Sequence, residues 1–168
     1  MITSTVAPLI AVVALLFLFA AFHDIATRTV PNWTSLAILA CGVALQFISG
    51  HLVGALLIGT LVFTICVLLW AARLLGGADV KLLAAAAVAV PPAAAGTLII
   101  SVALAGGLVA IVYLSLSHLI ARPAPGHRRT VLHRILKAEA WRIHRRAPLP
   151  YVTAIAAGVV FTLYPGLT

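Results

Sequence analysis

Only three acidic residues occur in this 168-residue sequence, and two of them, Asp24 and Asp79, could do chemistry as a pair. A carboxyl group acts as a general base when it is ionised and as a general acid when it is protonated. Two carboxyls that share a site resist ionising together, so their protons leave in separate steps. The third acid, Glu139, lies in a basic segment and is expected to pair locally with Arg142, a weak surface interaction.

The residues around each aspartate predict a boundary between two helices. After Asp24, Pro31 and Asn32 are expected to end one helix and to start the next, which leaves a short turn between them. The small residues 76–78, which come directly before Asp79, allow another backbone or a substrate chain to approach closely. An aspartate in this position lies at a helix N-terminus, where the helix dipole favours its ionised form.

The elements that carry these residues are predicted to be membrane-spanning helices. The sequence is 64% hydrophobic and 8% charged, with a mean hydropathy of +1.20, a composition that would aggregate as a soluble domain. Its apolar runs are about long enough to cross a hydrocarbon core of roughly 30 Å. We therefore predict an all-α, single-domain transmembrane bundle over residues 1–168. Its six spans lie near residues 6–22, 33–49, 51–72, 79–95, 97–119 and 149–165, and Pro91-Pro92 interrupts the fourth.

The basic residues predict how the six spans are oriented. All eleven lysines and arginines lie in or beside the segments 23–32, 73–80 and 120–148, which six spans would place on one side. The positive-inside rule makes this side cytoplasmic and puts both termini on the opposite side. Both aspartates would then lie at the cytoplasmic ends of their spans. The same clustering makes nucleic-acid binding a poor explanation of the net charge of +8.

The longest polar segment is a basic loop at about residues 120–148. Apolar residues recur at roughly helical spacing within residues 130–147, which predicts a basic amphipathic helix that lies on the anionic lipids of the inner leaflet. A solvated connector that only fixes the orientation of the bundle is an alternative interpretation.

The positions of the two aspartates are consistent with two interpretations. A carboxylate at membrane depth is costly, so it usually has a function or a partner. Alternatively, each aspartate is an interfacial residue that pairs with Arg28 or Lys81, or that caps a helix.

Two segments resemble the aspartate motifs of the type IV prepilin peptidases, which are polytopic aspartic proteases of the bacterial and archaeal inner membrane. One is Asp24-x-x-x-Arg28-x-Val30-Pro31-Asn32, and the other is Gly76-Gly77-Ala78-Asp79-Val80-Lys81, similar to the family's GxGDxK. A looser likeness is Pro148-Leu149-Pro150-Tyr151 at the start of the last span. The sequence departs from the family pattern at Ala78 and Val152, where glycine is usual.

The resemblance implies that Asp24 and Asp79 are catalytic and activate water to remove the short cytoplasmic leader of a prepilin or pseudopilin. It implies supporting or substrate-binding roles at six positions, which are Arg28, Pro31, Asn32, Gly76, Gly77 and Lys81. The sequence has no counterpart of the cytoplasmic cysteine cluster of longer, methylating members. It therefore resembles the short, peptidase-only form found in tight-adherence (Flp-type) pilus systems. No cofactor is expected, because water and two carboxyls suffice.

Residues outside the acid pair have simpler interpretations. We interpret Lys81 as an interfacial anchor, and His23 as an interfacial histidine rather than a proton relay. Cys41 and Cys66 lie in separate apolar spans and are interpreted as packing residues. The histidines show no HExxH spacing, so no metal site is expected.

Two other classes of function remain compatible with the sequence. A small proton-coupled transporter or channel subunit would use the aspartates as proton carriers, although such sites often lie in mid-membrane and these two acids lie at one face. A non-enzymatic assembly factor of a pilus or secretion complex would need no acid pair.

Overall fold

The computed structural model describes the backbone of residues 2–119 and 150–163 and the side chains of residues 6–116 and 150–163. These residues form helices and no strand, which confirms the all-α prediction. The basic loop at 120–148, with Glu139 and Arg142, lies outside the described residues. The α-helices are α1 (Ile2–Thr27), α2 (Asn32–Ile48), α3 (Leu52–Ala71), α4 (Gly77–Ala89), α5 (Ala95–Leu119) and α6 (Tyr151–Leu163).

Three of these helices are long and apolar enough to cross a membrane. The candidate spans are Val6–Thr27 in α1, Leu52–Ala71 in α3, and Pro92–Leu116, which joins a short 3-10 turn to α5. Helices α2 and α6 are apolar but shorter. The protein is therefore a helical membrane protein whose long helices match three of the six predicted spans.

Helix α4 is shorter than the predicted span at residues 79–95. It ends at Ala89, because a proline lacks the amide N–H that a helix needs and disfavours helical geometry in the residue before it. Val90, which precedes Pro91, is accordingly extended, with ψ at 154°. The helix has 13 residues, and at 1.5 Å per residue it is about 20 Å long, too short to cross the membrane alone.

Helix α4 forms the core of the bundle, with α2, α3 and α6 packed around it. Most of its residues after Asp79 are buried, and they are chiefly alanine, valine and leucine. Close approach of small residues is the main source of helix association in membranes. At Gly42 in α2, a Cβ atom would lie 2.9 Å from Cα of Ala89, so α2 and α4 are nearly in backbone contact. Gln46, which is buried, donates a hydrogen bond of 3.2 Å to the Ala89 carbonyl.

The C-termini of α1, α3 and α5 and the N-termini of α2, α4 and α6 meet at one end of the bundle, which we call the site end. Lys81 of α4 bonds Asn32 of α2 there, and Arg28 after α1 reaches Tyr113 of α5. Helix α1 runs to Thr27, five residues past the predicted span at 6–22, and ends where Arg28 adopts the left-handed region with φ at 57°. The α1–α2 turn follows, as predicted, and Pro31 is the N-cap residue of α2. The sequence motifs on both sides of Asp24 and Asp79 therefore come together at this end.

Candidate active site

Asp24 points into the bundle because it continues the buried face of α1. Phe17, Ala20 and Ala21 lie seven, four and three positions before it, the spacing of residues on one helix face, and all three are buried. Asp24 itself is only 8% exposed. Its carbonyl accepts a 2.7 Å hydrogen bond from the N–H of Arg28, which closes the last turn of α1. The buried Asp24 side chain is thus carried by the last turn of α1, at the site end.

Asp79 is the third residue of α4, and its carboxylate folds back over the start of that helix. It accepts a hydrogen bond from the backbone N–H of Gly76, the N-cap residue. A carboxylate at this position commonly satisfies the exposed N-cap amide in this way. Glycine leaves room for this position of the carboxylate, because a Cβ atom at residue 76 would lie 2.8 Å from Oδ2 of Asp79 and would make it shift.

Gly77 is under no comparable constraint. A Cβ atom there would lie 3.6 Å from Nε1 of Trp70, which is an ordinary van der Waals distance. The two adjacent glycines of the motif look equivalent in the sequence. In the structure they differ, because a side chain at residue 76 would clash with Asp79 and a side chain at residue 77 would not. Only Gly76 makes room for the carboxylate of Asp79.

The carboxylates of Asp24 and Asp79 interact electrostatically across α1 and α4. Asp79 lies outside the three candidate membrane spans. Burial and, next, the negative charge of Asp24 raise the pKa of Asp79 from 3.8 to about 6, and the hydrogen bond from Gly76 opposes this rise. An acid with this pKa exchanges its proton close to neutral pH, which suits acid–base chemistry under physiological conditions.

Two further side chains, Cys66 of α3 and Tyr151 of α6, lie within electrostatic reach of Asp79. Cys66 is buried, and Tyr151 is half-buried and packs against Gly106 of α5, where a Cβ atom would lie 2.8 Å from the ring. The sequence signalled Tyr151 only through the loose likeness around it. It gave no signal that Cys66 lies beside the acid pair, because a cysteine in an apolar run has the pattern of any core residue.

Arg28 links the end of α1 to α5. Its Nη2 atom donates a long hydrogen bond of 3.5 Å to the hydroxyl of Tyr113, and its Cζ lies 5.9 Å from the centre of the same ring. A guanidinium at this distance from an aromatic face is attracted by the ring quadrupole. The side chain therefore runs across the site end instead of extending away from the bundle.

Asn32 and Lys81 join the two sequence motifs directly. The Nζ atom of Lys81 donates a hydrogen bond of 2.8 Å to Oδ1 of Asn32, which ties the second turn of α4 to the first turn of α2. His23 has a local role as well, because its Nδ1 lies 2.7 Å from the Thr29 carbonyl and 3.0 Å from the Thr27 hydroxyl. These contacts fix the α1–α2 turn next to Asp24.

The fold and the site define a helical membrane protein with two interacting carboxyls at one end of its bundle. A model of the type IV leader peptidase family, Peptidase_A24, matches residues 11–114, well over half of the chain. The protein belongs to this family, as the motifs predicted, and its function is that of a type IV leader peptidase. The match includes both aspartates and ends before Tyr151. No curated protein and no solved structure matches the chain.

Proposed function

We propose that the protein is an aspartic endopeptidase that removes the leader peptide from type IV prepilin-like proteins, with Asp24 and Asp79 as its catalytic pair. One observation carries the proposal: the two carboxylates, although 55 positions apart in sequence, interact inside the bundle at its site end. Both lie within the region that matches the family.

The chemistry needs one carboxylate ionised and its partner protonated. The ionised carboxylate takes a proton from water as the water oxygen bonds to the scissile carbonyl carbon, and the protonated partner gives its proton to the carbonyl oxygen. When the tetrahedral intermediate collapses, the C–N bond breaks. The carboxyl that took the proton from water gives it to the leaving amine, and the other carboxylate takes a proton from a hydroxyl of the intermediate, which restores the pair. Mutual repulsion of the two charges raises the pKa at which the pair loses its last proton, so the singly protonated pair persists up to about pH 6. The elevated pKa of Asp79 supports this sharing.

The remaining motif residues position this pair. Gly76 provides both the amide and the space that hold the carboxylate of Asp79. Pro31 and Arg28 fix the end of α1 and the start of α2, and the bond between Asn32 and Lys81 sets α2 against α4. In this proposal Gly77 leaves the approach to Asp79 open to the substrate chain.

The substrate we propose is a prepilin or pseudopilin with a polar leader followed by an apolar helix. An acid pair at one end of the bundle suits cleavage at the boundary between the two, since the helix stays in the bilayer while the leader stays in water. The described basic residues Arg28, Arg73 and Lys81 all lie in the segments next to the site end. By the positive-inside rule this end faces the cytoplasm, in a protein of the inner membrane.

Co-expression of the protein with candidate prepilins from the same genome, followed by gel analysis of the pilin, tests the proposal. Asp24→Asn and Asp79→Asn should each abolish the mature band while the protein still accumulates in the membrane. Glu139→Gln, which removes the remaining acidic side chain, is the matched control and should cleave normally. Substantial cleavage by either aspartate variant would rule out a two-carboxyl mechanism. Loss of proton uptake in vesicles, with cleavage intact, would favour a transporter instead.

A further inference from the structure

A groove opens between α2 and α3 on a face of α4 that is separate from the acid pair. Both helices pack closely on α4 but contact one another much less, and a cavity of about 570 Å³ remains between them. Its floor is Ala84, Ala85 and Val88, and its walls are three leucines and Phe63, together with Gly59 and the hydroxyl residues Ser35 and Thr60. Lys81 lines this groove, whereas Asp79, two residues earlier, is turned by about 200° around the helix. We call this the α2–α3 groove.

One end of the α2–α3 groove is polar and basic. Lys81 and Asn32 line it there, and their mutual hydrogen bond uses one of the three N–H groups of the lysine. Lys81 is exposed, and within residues 6–116 and 150–163 no carboxylate pairs with it. The ammonium therefore presents positive charge and hydrogen-bond donors at the point where the apolar channel begins.

The dimensions of the groove decide what it can hold. From Lys81 to Val88 the floor of the groove rises by seven helical residues, about 10 Å. This is about a third of a hydrocarbon core of roughly 30 Å. A transmembrane helix, with a diameter of about 10–12 Å, is too wide and too long for a cavity of 570 Å³. A single acyl chain, which occupies one leaflet of about 15 Å, would lie in the groove for about two thirds of its length and suits the largely apolar lining.

We propose that the α2–α3 groove binds an anionic phospholipid, with one acyl chain along Ala84 and Val88 and the phosphate on Lys81. The charge at the groove mouth selects the lipid, because a net negative headgroup is attracted to the lysine and a zwitterionic headgroup brings its own cation. Asn32 holds the lysine in place at the mouth of the groove. The lipid would thus bind beside the start of α4, the helix that carries Asp79.

A second groove of similar size gives a natural comparison. It lies between α1 and α6, has a volume of about 500 Å³, and is lined by apolar residues and Thr153 with no basic residue. If lipid binding depended only on apolar lining and size, the two grooves would bind the same lipids equally well. The proposal instead predicts that only the α2–α3 groove distinguishes lipids by headgroup charge.

Native mass spectrometry of the purified full-length protein, with phosphatidylglycerol or phosphatidylcholine of identical acyl chains, tests the proposal. The wild type should retain phosphatidylglycerol more strongly, and Lys81→Gln should weaken that retention about fivefold, as expected for one lysine near an anionic headgroup. Arg73→Gln removes an equal charge near the same end but outside the groove, so it should retain the lipid like the wild type. Unchanged retention in Lys81→Gln, or equal loss in Arg73→Gln, overturns the proposal.

Filling the groove provides an independent arm of the test. Ala84→Leu should displace phosphatidylglycerol, whereas Ala157→Leu, in the α1–α6 groove, should not. If Ala84→Leu keeps the lipid but blocks crosslinking of a prepilin helix to Leu56, the groove binds substrate and the lipid proposal fails. Gel filtration identifies a variant that does not fold. If Ala84→Leu does not fold, the proposal is tested by the difference in lipid retention between Lys81→Gln and Arg73→Gln.

Discussion

Lys81 donates a hydrogen bond of 2.8 Å to Asn32, and this contact joins the two sequence motifs through the second turn of α4 and the first turn of α2. The two residues are 49 positions apart, so only the packing of α2 on α4 brings them together. The bond fixes the start of α4 on one side of Asp79, while Gly76 fixes the carboxylate itself. Together they place the acid in a defined position relative to Asp24.

We expect the contributions of Asn32 and Lys81 to activity to be coupled. Asn32→Ala and Lys81→Ala should each lower kcat/KM, and the double variant should lose less than the product of the two single losses. A hydrogen bond to a charged group contributes about 1.5–3 kcal/mol when buried, and we expect about 1 kcal/mol, or roughly fivefold, for this exposed pair. The double-mutant cycle is read from kcat/KM on one prepilin. Strictly multiplicative losses would mean that the hydrogen bond does not contribute to catalysis.

The two adjacent glycines should differ in their tolerance of a methyl group. Gly76→Ala places a Cβ atom 2.8 Å from Oδ2 of Asp79 and should displace the carboxylate, with a loss of activity of roughly a hundredfold or more. Gly77→Ala meets nothing nearer than 3.6 Å and should retain most activity. Cleavage rates for the two variants, at matched amounts of folded protein, provide the measurement. Equal losses in both would indicate a need for flexibility in place of the specific fit of Asp79.

The pH dependence of stability should report the acid pair without any substrate. The folded pKa of Asp79, about 6, lies above its ordinary value of 3.8, so the folded protein binds this proton more tightly than the unfolded chain. The contribution of Asp79 to stability is therefore present below about pH 4 and is lost as the pH rises through about 6. Thermal unfolding should show that the wild type loses stability relative to Asp79→Asn over this window.

Asp24→Asn is the companion variant for this pH measurement. Removing the charge of Asp24 eliminates the second cause of the raised pKa of Asp79, although burial remains. The stability change attributed to Asp79 should then shift to lower pH and become smaller. A pH profile that Asp24→Asn leaves unchanged would show that the two carboxylates do not interact.

The close contact between α2 and α4 should make Gly42 sensitive to substitution. Gly42→Ala would place a Cβ atom 2.9 Å from the backbone of Ala89, and overpacking of this kind costs about 1–3 kcal/mol. We expect a lower Tm in detergent. The control is Gly107→Ala in α5, where a Cβ atom meets nothing within 4 Å and alanine has the higher helix propensity. Its Tm should equal or exceed that of the wild type, and an equal fall in both variants would contradict the packing argument.

The sequence predicted the fold class, the family and the pair of acids. Hydropathy depends only on residue types along a run, and long apolar runs in a membrane protein must be helical because helices satisfy their own backbone hydrogen bonds. The prolines after Asp24 and after Ala89 act locally as well, since each removes a donor and restricts the residue before it. The turn between α1 and α2 could therefore be predicted from the residues, although α1 extends to Thr27, past the predicted end of its span at residue 22.

The tertiary structure decided which residues meet. Hydropathy cannot tell a span from a short core helix, so the role of α4 as the buried centre of the bundle follows only from its packing against three neighbours. The nearness of Cys66 to Asp79, the bond from Lys81 to Asn32 and the difference between Gly76 and Gly77 depend on contacts between distant segments. Those contacts depend on how the small-residue faces of different helices pack together. This packing cannot be derived from the sequence of any one helix.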